Sequence, residues 1–255
     1  MRMNVGFSTG LLAAVAAASL ALAAPARSEV SLYGYGFNVN GSIGGNGDGP
    51  GTVCGASTAG STTGLTGSLP GGVNLGAFDT ATGYGTAAVT VSGAGTHTVA
   101  MFVDHDIDEC TSTFHNEQGT TSLGSPAPGQ YWELDDPSFG FIQGDVVFLT
   151  DPTSTIDHFN TNYLVGPEDD VSMAMAWLVA LGADESLTVL FHFDLTAPSG
   201  FYLDQFDPDS NVHVYFWSEA NITETPTAPE PATIALLGLG LAGLGIARRR
   251  SSRAS

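Results

Sequence analysis

Between residues 187 and 195 the chain alternates without a break. Leu187, Val189, Phe191, Phe193 and Leu195 fall on one face, and Thr188, His192, Asp194 and Thr196 on the other. A period of two is the signature of a half-buried strand. Residues 171–181 repeat it in side-chain size: Val171, Met173, Met175, Trp177 and Val179 alternate with mostly small residues. Met, Ala and Leu are good helix formers, so a helix is the competing reading here. A big–small alternation does not fit a 3.6-residue period, and strand is predicted. Gly182-Ala183-Asp184-Glu185 reads as a turn, and the two segments are expected to pair as a hairpin with one buried face.

The same alternation predicts strands at 87–92, 96–103, 146–150 and 212–218. An early strand is expected over 30–39, with Tyr33, Tyr35, Phe37 and Val39 on one face. Residues 34–95 are crowded with Gly, Ser and Thr, which suits loops and short strands because glycine is penalised in helix interiors. No fixed-period repeat points to a solenoid. Short strands separated by Gly, Pro and Asp turns predict an all-β protein: an antiparallel β-sandwich, jelly-roll-like, over residues 27–219. Residues 220–228, rich in Thr and Pro, read as a linker.

Charge narrows what such a sandwich can do. The chain has no lysine, and its six arginines are Arg2, Arg27, Arg248, Arg249, Arg250 and Arg253, all near the two ends. Of the 26 acidic residues only Glu230 lies in the tail, which leaves 25 in residues 29–228, taken as the mature body, whose only chargeable cations are histidines. Nucleic-acid binding needs Lys and Arg against phosphates, so it is excluded. A P-loop, a Schiff-base lysine and arginine capture of carboxylates are excluded with it. Self-repulsion opposes compactness, and salt or divalent cations would relieve it. The surface suits neutral sugars, cations or basic partners; the plainer reading is that the acidity keeps an exported protein soluble.

Cys54 and Cys110 are the only cysteines, and in an exported chain a disulfide is the expectation, with two free thiols the alternative. Closing that loop would stabilise by about 4 kcal/mol in the chain-entropy picture. With no CxxC pair, a Cys-based zinc site has no basis.

Three acidic stretches are candidate cation sites. Asp104, Asp106 and Asp108 open a D-x-D-x-D run like the start of a calcium loop, but Glu109 stands where an EF-hand needs Gly and His115 where it needs Glu. Asp207, Asp209 and Asn211, with Asp204, make a second, and Glu168-Asp169-Asp170 a third. Each can equally be a solvated Asp-rich turn. The six histidines, at 97, 105, 115, 158, 192 and 213, form no zinc-binding spacing, and no G-x-S-x-G elbow is present. Tyr131, Trp132, Tyr215 and Trp217 could stack on sugar rings, or one of their faces could be core.

The ends read as addresses. Arg2, the apolar stretch 11–24 and Ala24-Pro25-Ala26 predict a signal peptide over 1–26, cleaved by signal peptidase. At the other end Pro229-Glu230-Pro231 precedes 16 apolar residues, 232–247, and then Arg248, Arg249 and Arg250. As a helix that run covers about 24 Å, short of a roughly 30 Å hydrocarbon core, so it spans only marginally. The arginines would stay cytoplasmic and leave the body outside. The formal glycine pattern 238–243 is not a nucleotide site, since no βαβ unit and no acidic residue follow it.

These three parts in order, over 229–253, resemble a PEP-CTERM sorting domain, found on exported proteins of Gram-negative bacteria that make extracellular polysaccharide. The resemblance implies recognition and processing by exosortase near Pro229, Glu230 and Pro231, with transient anchoring by the apolar segment. The expected function is that of a non-enzymatic surface or matrix protein of an exopolysaccharide or biofilm layer, possible ligands being calcium and the polysaccharide itself. A carbohydrate-binding module is the alternative, and a secreted glycoside hydrolase or lyase a third reading.

Overall fold

The computed structural model of the protein describes residues 30–46, 52–53, 56–57, 68–107, 116–135, 170–224 and 231–251. Within them the strands are β1 (Val30–Val39), β2 (Ser42–Asn46), β3 (Thr52–Val53), β4 (Ala56–Ser57), β5 (Val73–Phe78), β6 (Gly85–Ser92), β7 (Gly95–Ile107), β8 (Gln118–Thr121), β9 (Gln130–Asp135), β10 (Ser172–Leu181), β11 (Glu185–Asp194), β12 (Leu203–Asp207) and β13 (Val212–Glu224). One helix follows, α1 (Pro231–Ser251). The predicted strand at 146–150 and both cysteines lie outside the described residues, as does the signal segment.

The strands form two sheets, ordered β2-β1-β7-β10-β9 and β5-β6-β11-β13-β12-β8, with β3 and β4 as a separate small ladder. Pairing is antiparallel throughout, as in β1 with β7, β7 with β10 and β11 with β13. The inner faces meet in one apolar core. The first sheet supplies Phe37, Val99, Met101, Val103, Met173 and Met175, and the second Val89, Val189, Phe191, Phe193, Val214 and Phe216. Edge and stacked ring contacts knit the halves together, for example Phe37 to Phe191 at 6.4 Å. The result is an antiparallel β-sandwich.

Three expectations change. The segments 171–181 and 187–195 are strands, but not a hairpin: β10 pairs with β7 and β9 in one sheet, β11 with β6 and β13 in the other. Residues 182–184 are an arch between sheets. Both strands carry one wholly apolar face, and such faces are buried by facing each other across the sandwich; alternation identifies the face and leaves the neighbour open. The stretch 220–224, read as linker, is the end of β13, where Ala220 to Glu224 pair with Val189 to Glu185. Finally, β1 changes face midway. The register shifts between Leu32 and Gly34, so Val30 and Leu32 point into the core before the bulge, and Tyr35, Phe37 and Val39 after it. Tyr33 is thereby left off the face predicted for it.

The small residues of β10 also have a reason. Ala174 and Ala176 pack with Ala100 and Phe102 into a second apolar layer on the outer side of the first sheet, joined by Ile43 and Tyr131.

Candidate functional site

Phe102 is the last apolar residue on that outer side of β7, and carboxylates take its place beyond it. Asp104 pairs with Ser172 of β10. The same register carried two residues on brings Asp106 opposite Asp170, so period two places all three acids on one face. Their carboxylate oxygens lie within 4.8 Å of one another. Asp104 and Asp106 are only 3% and 4% exposed, while Asp170 is half-buried. The D-x-D run read from sequence as a loop opening is therefore the end of a strand, up to Ile107. A strand can carry it because alternate carboxylates share one face while His105 and Ile107 fill the core side. Asp108 lies outside the described residues, and Asp170, from the third acidic stretch, completes the group.

Beside these acids the β7–β10 ladder opens, and the second sheet's end fills the gap. Glu117, just before β8, accepts hydrogen bonds from Ile107 N at 2.9 Å and Val171 N at 3.4 Å. Gln205 of β12 donates its amide N–H groups to Glu117 Oε2 at 2.5 Å and to the His105 carbonyl at 2.6 Å. Both side chains are buried, Gln205 fully. Burial pushes the Glu117 carboxyl well above its ordinary range; the Ile107 bond pulls it down, and the charges of Asp170 and Asp106 push it further up. Neither residue was singled out from the sequence. Glu117 is an isolated acid beside Asn116, and its pairing with strand ends 10 and 54 residues away leaves no local pattern.

The second predicted cation loop is a tight turn. Asp207 Oδ1 accepts from Asp209 N at 2.7 Å, Ser210 N at 3.4 Å and Asn116 Nδ2 at 3.1 Å. The Asn211 N–H closes onto the Asp207 carbonyl at 2.8 Å, with Asn211 in the left-handed region at φ 56°. An Asx-type turn of this kind explains the residue types without an ion.

The aromatic candidates part company. Tyr131 and Trp132 are successive residues of β9 and face opposite ways: Tyr131 onto the outer alanine layer, Trp132 towards the main core and Phe201, 5.7 Å away. Tyr215 and Trp217 lie on the outer face of the second sheet, half-buried, because Val214 and Phe216 take the core side. Trp217 stacks on His192 at 5.0 Å and 15°, and His213 lies between Phe206 and Tyr215 at 5.1 Å and 5.7 Å. The rings turn their faces to each other. His213 Nδ1 also meets the Asp204 carboxylate at 2.9 Å.

Elsewhere, a cavity of about 360 Å³ at the β6–β7 turn is lined by Asn40, Thr96, His97, Thr98 and Leu178, with no carboxylate among its lining residues. His97 is engaged at both nitrogens, with Asn40 Nδ2 at 3.1 Å and the Gly93 carbonyl at 2.9 Å. Its ring holds the turn in place. His115 and His158 lie outside the described residues.

In the tail, Pro231 opens α1, which suits a residue that needs no N–H partner in the first turn. Arg248 and Arg249 are exposed in its last turn and Arg250 falls within it; Pro229 and Glu230 lie outside the described residues. Among the described residues no helix is long and apolar enough to cross a membrane. Residues 227–250 match the PEP-CTERM protein-sorting motif, and the protein is an exosortase-sorted exported protein. No curated protein and no solved structure is matched by the chain.

Proposed function

We propose that the sandwich is a non-enzymatic component of the cell surface or extracellular matrix, placed there by its tail and associated with exopolysaccharide. The observation that carries this reading is the sorting motif at 227–250, attached to a body without lysine or arginine. The body's features support a structural role. Glu117 and Asp207 bond backbone N–H groups at strand ends and turns, and the aromatic side chains of the outer face stack on one another. Acids used in this way hold strands together; a catalytic pair would have to face a cleft.

The tail then works in sequence. Signal peptidase removes 1–26, the apolar run 232–247 lodges marginally in the inner membrane with Arg248 to Arg250 on the cytoplasmic side, and exosortase acts near Pro229 to Pro231. Deleting exosortase in the source cell should leave the tail intact and shift the protein into the membrane fraction, read as the mass of the mature chain by mass spectrometry. An unchanged mass and distribution would refute the assignment.

A further inference from the structure

We propose that the end of the sandwich formed by the β6–β7 turn and the 182–184 arch is a docking surface for exosortase, which meets the folded body there while it acts on the tail. The surface rests on the reading that exosortase acts near Pro229 to Pro231, and it adds a part of the body to that encounter.

The strand that carries the tail sets the distance. β13 runs to Glu224, which is still paired with Glu185 of β11, and one residue earlier the Thr223 and Ser186 hydroxyls bond at 2.9 Å. The sheet therefore stays closed to within five residues of Pro229 and seven of Pro231. A chain spans at most about 3.3–3.6 Å per residue, so the peptide bonds of the motif lie within roughly 25 Å of the strand end. The rest of that end is close by. Gly93 N of the β6–β7 turn donates to the Glu185 carbonyl at 3.2 Å, and across the core Gly95 pairs with Leu181 at the start of the arch. Neighbouring strands are about 4.8 Å apart and facing sheets about 10 Å, so both turns lie within roughly 15 Å of Glu224.

Reach and width together decide the contact. Both turns lie nearer to Glu224 than the limit of the tail's reach, so an enzyme gripping 229–231 has them beside it. The opposite end is excluded. β13 is 13 residues long, and at strand rise that is about 40 Å, which carries Val212 beyond the same reach. Charge favours the enzyme over the bilayer as the neighbour. Asp184 and Glu224 are exposed and residues 28–247 contain no lysine or arginine, so anionic headgroups repel this end. Ala94 and Ala183, one in each turn, are exposed and have no positive φ, so each accepts a larger side chain.

Photo-crosslinking of the full-length chain in the source cell, with a tagged exosortase, tests the surface. A benzophenone amino acid in place of Ala183 or Ala94 should give an adduct with exosortase before the tail is cut. The same amino acid in place of Ala81 should not, because Ala81 is exposed at the opposite end, where its carbonyl accepts from Leu32 N at 3.1 Å. Inserting about ten Gly-Ser residues between Thr225 and Pro226 should lower the adduct yield about fourfold while processing continues, since effective concentration falls as roughly the three-halves power of linker length. Processing with no adduct from either turn would overturn the proposal. So would an equal adduct from Ala81, an adduct with lipid alone, or a yield that the insertion leaves unchanged. Tail processing that persists without exosortase would instead overturn the sorting reading, and this surface with it.

Discussion

His105 stands between two acids in sequence and has nothing to do with them in space. It is fully buried, stacked on Tyr84 at 6.4 Å and tilted against Phe193 at 5.8 Å, with Nε2 at 3.4 Å from the Gly83 carbonyl. Burial lowers its pKa to about 4, against the slight lift of the Gly83 bond. The folded protein therefore holds it neutral. Above pH 6.5 neither state binds the proton; as pH falls from there towards 4, the unfolded chain takes it up and the folded chain does not. Stability should drop across that window by about 3 kcal/mol and level off below it. Glu117 titrates in the opposite sense, so the His105 contribution is best read as a difference. In chelator, denaturant midpoints of wild type and His105→Phe should converge or cross as pH falls from 7 to 4, and a constant gap would refute the neutral buried imidazole. The sequence showed the acids around His105 but not that they divide by face. Asp104, Asp106 and Asp170 were each visible as acidic residues. What joined them was a register between segments 66 residues apart, which no local pattern encodes.

Period two made the strands legible almost residue by residue: 30–39 matches β1, and 171–181 and 187–195 lie within a residue or two of β10 and β11. Pairing was less legible, because a strand with one apolar face can lie beside its neighbour or across from it. The chain takes the second option at 182–184, where Gly182 N bonds Glu185 Oε2 at 2.6 Å and sets the arch. Two sheets joined by arches need cross-links as well as apolar contact, and Ser218 of β13 supplies one. Its hydroxyl accepts from Trp177 Nε1 at 2.9 Å and Gln130 Nε2 at 3.0 Å, and donates to the Met175 sulfur at 3.2 Å. It thus ties β9 and β10 to the second sheet with its full bonding capacity. Ser218→Ala would leave a half-buried indole N–H and a buried amide without this acceptor, costing about 1–3 kcal/mol. Equilibrium denaturation checks this, and a change within about 0.5 kcal/mol, typical of a surface substitution, would show that the cross-link does not matter. The serine was legible only as a polar interruption after Val214 and Phe216; its partners come from the other sheet.

On the scale of the whole molecule, charge has one direction. In most proteins salt screens attraction and repulsion together, and the net effect on stability can take either sign. Here 25 acids share a body with no lysine or arginine, and a basic partner for a carboxylate there is a histidine, as His213 is for Asp204. Screening can remove little but repulsion. The melting temperature should therefore rise with sodium chloride, and the form of the rise identifies its cause. The Debye length falls from about 30 Å at 0.01 M to about 10 Å at 0.1 M and about 3 Å at 1 M. Most of the relief should thus come below about 0.2 M, with a plateau beyond it. Exclusion of salt from the surface would act differently, growing steadily with concentration and more strongly for sulfate. Scans in chelator from low to high sodium chloride distinguish the two. A flat or falling curve would mean that the acids are already neutralised within the fold by protonation or mutual hydrogen bonding, as burial favours for Glu117. A steep early rise would mean that most stay ionised at the surface, and that an extracellular setting with salt and divalent cations is part of what keeps this sandwich folded.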